Sequence, residues 1–222
     1  MVQNLQAVIF DLDDTLVDKS ETLRAVAAIQ YSSFSLNNFG VSFEDWKTQF
    51  VELNNLRIEK SEVFNRLGQR FSFAADLRGS LGSHFDQIFG YHVRPFPGAI
   101  ETIQACKSNG LKIGIITNGR DAFQRSKIAG AGITDLIDIV VTSGGVGIKK
   151  PDIRIFELAL ESLQVLPQET AFVGDDYVAD MQPAIKLGMC SVWKSADSSP
   201  EVSFSSNDFG EIRDFLVGRD FS

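Results

Sequence analysis

Asp11-Leu12-Asp13-Asp14-Thr15 stands directly behind the apolar run Ala7-Val8-Ile9-Phe10. An apolar run bounded by polar residues reads as a buried strand. Acids at the mouth of such a strand serve no packing purpose, because desolvating a carboxylate is costly unless something pairs with it. Carboxylates in that place suit three kinds of chemistry: holding a hard cation, attacking an electrophile and carrying a proton.

Three further clusters follow apolar runs. Thr117-Asn118-Gly119-Arg120 comes after Ile113-Gly114-Ile115-Ile116. A hydroxyl, an amide and a permissive glycine at a strand end can wrap an oxyanion, although an ordinary strand-to-helix turn has the same composition. Gly147-Ile148-Lys149-Lys150-Pro151-Asp152 places a lysine just before a proline that starts a helix. Its ammonium is able to neutralise a phosphate or a carboxylate. The last cluster, Gly174-Asp175-Asp176-Tyr177-Val178-Ala179-Asp180, ends the run Ala171-Phe172-Val173. Asp176 also suits a helix N-cap. Two acid clusters facing each other repel unless a cation lies between them, and ligation by a few carboxylates and waters is the preference of Mg²⁺.

The elements that position these clusters alternate in type. Strands are expected at Ala7–Asp11, Leu111–Thr117, Ile137–Thr142, Thr170–Gly174 and Cys190–Trp193. Helical patterns lie between them at Gly98–Asn109, Ala122–Gly130, Ile153–Leu163 and Val178–Leu187, with a last helix near Phe209–Val217. Near-continuous apolar strands joined by helices imply an α/β fold with a doubly wound parallel sheet covered on both faces. Ligands bind beyond the carboxyl ends of such strands, where all four clusters fall. The Ser- and Asp-containing stretch Ser195–Asn207 reads as a surface loop.

Residues 18–92 differ. Glu21–Phe34, Phe43–Leu56, Glu59–Phe71 and Leu77–Phe89 carry apolar residues at helical spacing, with no convincing strand. Phe34, Phe39, Phe43, Phe50, Phe64, Phe71, Phe73, Phe85 and Phe89 are expected as the interior of a helical bundle. The expected organisation is a core of residues 1–17 and 93–222, interrupted by a helical domain of residues 18–92.

The chain has 222 residues, 44% of them hydrophobic, and a net charge of −8. That balance argues against binding nucleic-acid backbones, which needs clustered Lys and Arg. Cys106 and Cys190 are the only cysteines and read as small core residues in a reducing compartment. The N-terminal residues show no signal-peptide pattern, and no apolar run reaches the length of a membrane span, so a cytoplasmic location away from membranes is expected.

The order Asp-x-Asp-x-Thr, Thr-Asn-Gly, Lys-Pro and Gly-Asp-Asp-x₃-Asp resembles the haloacid dehalogenase (HAD) superfamily of phosphohydrolases. The four motifs run from Asp11 to Asp180, and jointly they are highly specific. The resemblance implies a Rossmann-like core with an inserted helical cap. It further implies a Mg²⁺-dependent phosphomonoesterase acting on a small phosphorylated metabolite, nucleotide- or sugar-phosphate-like, through an aspartyl-phosphate. In that reading Asp11 is the nucleophile and Asp13 the general acid, then base. Thr117 and the Asn118 backbone N–H hold the transferring oxygens. Lys150, or less suitably Lys149, balances charge. Asp11, the Asp13 carbonyl and Asp175 ligate Mg²⁺, with Asp180 or Asp176 acting directly or through water. Asp13 separates this pattern from the dehalogenating members, since a halide leaves without a proton and an alkoxide needs one. Lys19, Lys47 and Lys60 read as solvated charges, which disfavours the phosphonate-hydrolysing branch and its Schiff-base lysine. A phosphomutase of the β-phosphoglucomutase type shares all four motifs and is the alternative. A non-catalytic binding module is the third reading, and the intact acids speak against it. His92 reads as a hinge or surface residue. Ile153 replaces a proline common in the family and affects only a helix start.

Overall fold

The computed structural model describes residues 5–56 and 58–218. Residues 1–4, part of the N-terminal segment without a signal-peptide pattern, lie outside that range. By internal contacts the chain forms two compact units. One runs to Asp18 and resumes at Pro95; the other is Lys19–Arg94.

The first unit is built on six parallel strands. β1 is Ala7–Phe10, β2 Lys112–Thr117, β3 Ile139–Thr142, β4 Thr170–Gly174, β5 Cys190–Trp193 and β6 Phe204–Ser205. They lie in the order β3-β2-β1-β4-β5-β6, every neighbouring pair parallel. The fold is therefore the expected α/β doubly wound sheet. Strand order reverses between β1 and β4, the position at which such sheets open a binding crevice. β6 was not anticipated: it is two residues long and lies in the stretch read as loop.

The strands are mostly apolar because both faces are covered, with Thr117, Thr142, Thr170 and Ser191 as buried polar exceptions. Ala7, Ile9 and Phe172 pack on one side with Ile155, Phe156, Ala159, Leu160 and Leu163 of a helix, and with Met181 and Ala184. Val8 and Phe10, which project to the other side, are also fully buried. Cys106 and Cys190 are buried free thiols, as expected, and burial pushes the Cys106 thiol up to about 12.

In the second unit, α1 is Lys19–Ser33, α2 Phe43–Asn55, α3 Lys60–Phe71 and α4 Ala75–Ile88. The Ser42 hydroxyl caps α2 by accepting from the Asp45 N–H at 3.1 Å. Trp46, Phe50, Phe64, Phe85 and Phe89 form one buried aromatic chain with neighbouring ring centroids 4.9–6.3 Å apart. Trp46 donates its indole N–H to the Ala27 carbonyl at 2.9 Å. Phe39 departs from the expected interior, being 54% exposed. Lys60 is no simple solvated charge: its ammonium bonds Asn54 Oδ1 at 2.5 Å and lies 4.5 Å from the Phe85 ring centroid.

The remaining helices belong to the first unit: α5 Ala99–Ser108, α6 Asp121–Gly130, the single turn α7 Ser143–Val146, α8 Ile153–Leu163, α9 Gln182–Leu187 and α10 Phe209–Val217. Between β4 and α9 the chain makes one π-helical turn, Tyr177–Met181, where a helix from Val178 was expected. Among the described residues no helix is long and apolar enough to cross a membrane.

Candidate active site

β1 stops at Phe10, but the Asp11 N–H still donates to the Val173 carbonyl at 2.9 Å, which fixes Asp11 at the strand mouth. The chain then turns. Asp14 takes a left-handed φ of 60°, which aspartate tolerates, and its N–H donates to the Val17 carbonyl at 2.8 Å. Asp14 is thus the turn residue of the first motif. Lys194 is buried over the Phe96 ring, and its ammonium donates to the Asp14 carbonyl at 3.1 Å.

Lys150 links the first motif to the last. Its buried ammonium donates to Asp11 Oδ1 and to Asp180 Oδ1, each at 2.6 Å. Lys149, the lesser candidate, is exposed. Lys150 is held in place by Asn118, whose side-chain oxygen accepts from the Lys150 N–H at 2.9 Å. The same amide donates to the Lys150 carbonyl at 3.1 Å. The second and third motifs are therefore clamped together by the Asn118 amide, a structural job in addition to the phosphate contact expected of its backbone.

Asp175 follows β4, and its Oδ1 accepts from the buried Thr15 hydroxyl at 2.8 Å. Trp193 donates its indole N–H to the Asp175 carbonyl at 2.8 Å. Asp176 is the cap anticipated for it: its side chain accepts from the Val178 and Ala179 N–H groups at 2.9 and 3.0 Å. The Asp176 N–H in turn donates to Asp180 Oδ2 at 3.1 Å. Gly174 is required here, since a Cβ on it would lie 2.6 Å from Asp180 Cβ.

Oxygens of Asp11, Asp175 and Asp180 lie within 4.8 Å of one another. Burial raises the Asp11 carboxyl to about 7; Lys150 opposes the rise and Asp180 adds to it. Burial, reinforced by Asp11, raises Asp175 to about 6. Asp180 is raised too, by burial and against the pull of Lys150. Lys150 is raised despite its own burial by the two carboxylates it touches. When ionised, the three carboxylates outnumber the Lys150 ammonium, which contacts two of them, and Lys194, which acts on Asp175 from outside the cluster, so a negative excess remains. An oxygen-only donor set with that excess fits a hard divalent cation such as Mg²⁺. Asp176 is not in this group.

Asp13 is placed differently. Both of its oxygens accept from the Lys127 ammonium at 2.7 Å, and Oδ2 also accepts from Gln124 Nε2 at 3.0 Å. Its side chain does not join the three-carboxylate cluster. Gln124 Nε2 also reaches the buried Thr117 hydroxyl oxygen at 2.5 Å. Gly119, read as a phosphate-wrapping glycine, has a second reason to be glycine: at its φ of 154° a Cβ would lie 2.8–2.9 Å from the Gln124 side chain.

Thr15, Gln124 and Lys127 were missed as site residues. Gln124, Lys127 and Ile128 form the buried stripe of α6, at helical spacing. Two polar side chains on a stripe that should be apolar are a signal in the sequence itself.

The model of the haloacid dehalogenase-like hydrolases matches residues 5–188. The chain is 28% identical to a glyceraldehyde 3-phosphate phosphatase of Methanocaldococcus jannaschii, over 96% of this chain and 97% of that one. It is 30% identical to the pyrimidine 5'-nucleotidase YjjG of Escherichia coli, over 85% of each. Among solved structures it is similar to an HAD phosphatase from Thermococcus onnurineus, at a TM-score of 0.64 and 25% identity over 96% of this chain and 98% of that one. It shares its fold with the HAD hydrolase YfnB of Bacillus subtilis, at a TM-score of 0.73 and 20% identity over 96% and 99%. With motifs, fold and matched length in agreement, the chain belongs to the haloacid dehalogenase-like hydrolases.

Proposed function

We propose that the chain is a Mg²⁺-dependent phosphomonoesterase that hydrolyses a small organic phosphate through an aspartyl-phosphate on Asp11. The observation that carries this reading is the Lys150 ammonium held between Asp11 and Asp180, with Asp175 beside them. That arrangement keeps a carboxylate at a strand mouth and balances part of its charge. It also leaves a deficit that a divalent cation fills. Asp11, Asp175 and Asp180 would hold Mg²⁺, together with the Asp13 carbonyl. The cation would supply charge neutralisation for the phosphoryl oxygens. Asp11 attacks phosphorus and the bond to the leaving alkoxide breaks. Asp13 gives that alkoxide its proton and then takes one from the water that cleaves the aspartyl-phosphate. Thr117 donates to a transferring oxygen.

Relatives named for glyceraldehyde 3-phosphate, phosphoserine and pyrimidine nucleotides support a small phosphorylated substrate. In this reading the helical unit Lys19–Arg94 selects the leaving group. Exchanging it for the corresponding segment of a relative should move substrate preference.

The test is release of inorganic phosphate from a panel of small phosphomonoesters, with Mg²⁺ and with EDTA, by the wild type and Asp11→Asn. Turnover that needs both Mg²⁺ and Asp11 supports the reading. Turnover untouched by Asp11→Asn would sink it, and isomer formation without phosphate release would make the chain a mutase.

A further inference from the structure

We propose that Lys127 and Gln124, on the buried stripe of α6, are positioning residues that aim the Asp13 carboxyl at the leaving group. The proposal rests on reading Asp13 as the proton donor. Both groups are almost wholly buried, Lys127 at 4% exposure and Gln124 at 1%. Burying an ammonium costs several kcal/mol unless its partner is well placed. A helix that needed only to pack would use apolar side chains at these two positions, as it does at Ile128. The geometry points instead to a fixed carboxylate. Lys127 reaches both Asp13 oxygens at 2.7 Å, which fixes the direction of the carboxylate axis. Gln124 holds Oδ2 from a second direction at 3.0 Å.

The same Gln124 amide donates to the Thr117 hydroxyl oxygen. A hydroxyl that accepts from an amide keeps its own proton for another acceptor. One helix therefore orients both the acid and the hydroxyl donor of the second motif. Neither Lys127 nor Gln124 needs to touch substrate for this. Their effect passes through Asp13 and Thr117.

A misaimed proton donor has a specific kinetic signature. An alkoxide leaving group needs the proton as its bond to phosphorus breaks, whereas p-nitrophenolate is stable without it. The ratio of kcat/KM for p-nitrophenyl phosphate to that for glycerol 3-phosphate is independent of the fraction of enzyme that is folded. A structural defect alone lowers both values together and leaves the ratio unmoved.

The experiment measures that ratio with Mg²⁺ for the wild type, Lys127→Met, Gln124→Met and Asp13→Asn. Both methionine side chains fill similar volume without a donor. Asp13→Asn should lose on the order of 10²–10⁴-fold toward glycerol 3-phosphate and much less toward p-nitrophenyl phosphate. Lys127→Met should raise the ratio about 10-fold or more, and Gln124→Met should raise it by a smaller factor, within the span that general acid catalysis contributes. Lys127→Arg, which keeps a charged donor, should bring the ratio back toward wild type. If Asp13→Asn moves the ratio and neither methionine variant does, the positioning role is overturned and the phosphatase reading stands. If Asp13→Asn leaves the ratio unchanged, the proton-donor reading itself fails. Should Lys127→Met not fold, Gln124→Met decides, because Gln124 contacts the same carboxylate oxygen.

Discussion

Without a divalent cation the protein should lose stability as pH rises, and Asp11 should be the main cause. Burial raises its carboxyl from 3.8 to about 7, with Lys150 opposing. Between these two values the folded chain keeps a proton that the unfolded chain has released. Proton binding then favours the folded state, and that advantage is lost as pH climbs through the window. Each unit of displacement is worth about 1.4 kcal/mol. Relative to strongly acid solution, Asp11 therefore costs about 2 kcal/mol near pH 5 and about 4 kcal/mol near pH 8. Asp175, raised to about 6, adds in the same direction over the lower part of the window. Acids held low do not confuse the picture. Asp121, bonded by Thr142 and Arg125, and Asp152, held at about 2 by Arg154, have made their contribution before this window opens.

The perturbation is EDTA and the assay is urea unfolding near pH 5 and near pH 8, repeated with excess Mg²⁺. Mg²⁺ would bind the ionised carboxylates, so its stabilisation should be larger at the higher pH. Asp11→Asn probes the cause directly, because the amide mimics the protonated acid; Asp175 and Lys150, which Asp11 holds up, fall back in the variant, while the titrations remote from Asp11 cancel. In EDTA near pH 8 the variant should be more stable than the wild type by up to about 4 kcal/mol. Near pH 5 the gain should shrink to about half of that. It should also be inactive, so that stability and function move in opposite directions at one residue. Equal stability of variant and wild type near pH 8 in EDTA, or an Mg²⁺ effect that does not grow with pH, would refute the reasoning.

Gly174→Ala should abolish turnover and destabilise by about 1–3 kcal/mol, since its Cβ would push against Asp180; phosphate release and urea unfolding check both. Lys150→Met should abolish phosphate release, while Lys149→Met, at an exposed position, should leave it unchanged. Asp176→Ala removes the cap of the turn after β4 and should cost about 1 kcal/mol in urea unfolding.

The strands were legible because the sheet is covered on both sides. Ala7–Phe10 is apolar at every position, and in Thr170–Gly174 the one polar side chain, buried Thr170 at its start, bonds the Leu166 carbonyl. β6 was not, because Phe204–Ser205 has no run of its own and is recruited by pairing with β5. The turn at Tyr177–Met181 read as plain helix, since π and α turns share the same composition there. The four motifs were legible as clusters. The contacts between them were not. Thr15 is a motif residue to which the sequence assigns no role, yet it bonds Asp175, 160 positions away. Lys60 looked solvated because the ring beneath it, Phe85, lies far along the chain.

Asp11 and Asp13 of the first motif are separated by a single residue and end with different partners, and the strand order explains why. β1 lies between β2 and β4. On the β2 side the chain continues into α6, which brings Gln124 and Lys127 to Asp13. On the β4 side it continues into the turn that brings Asp175 and Asp180 toward Asp11. Proton transfer and cation binding would thus be assigned to opposite neighbours of one strand. Lys150 reaches Asp11 and Asp180 rather than Asp13, so each acid has its own ammonium. Were one lysine shared by Asp11 and Asp13, nucleophile and proton carrier would be coupled through it, and a change in the charge of one would disturb the other. In the proposed reading, placing the lysines on segments that flank β1 from different parts of the chain would let Asp11 lose its charge to phosphorus while Asp13 keeps its own ammonium.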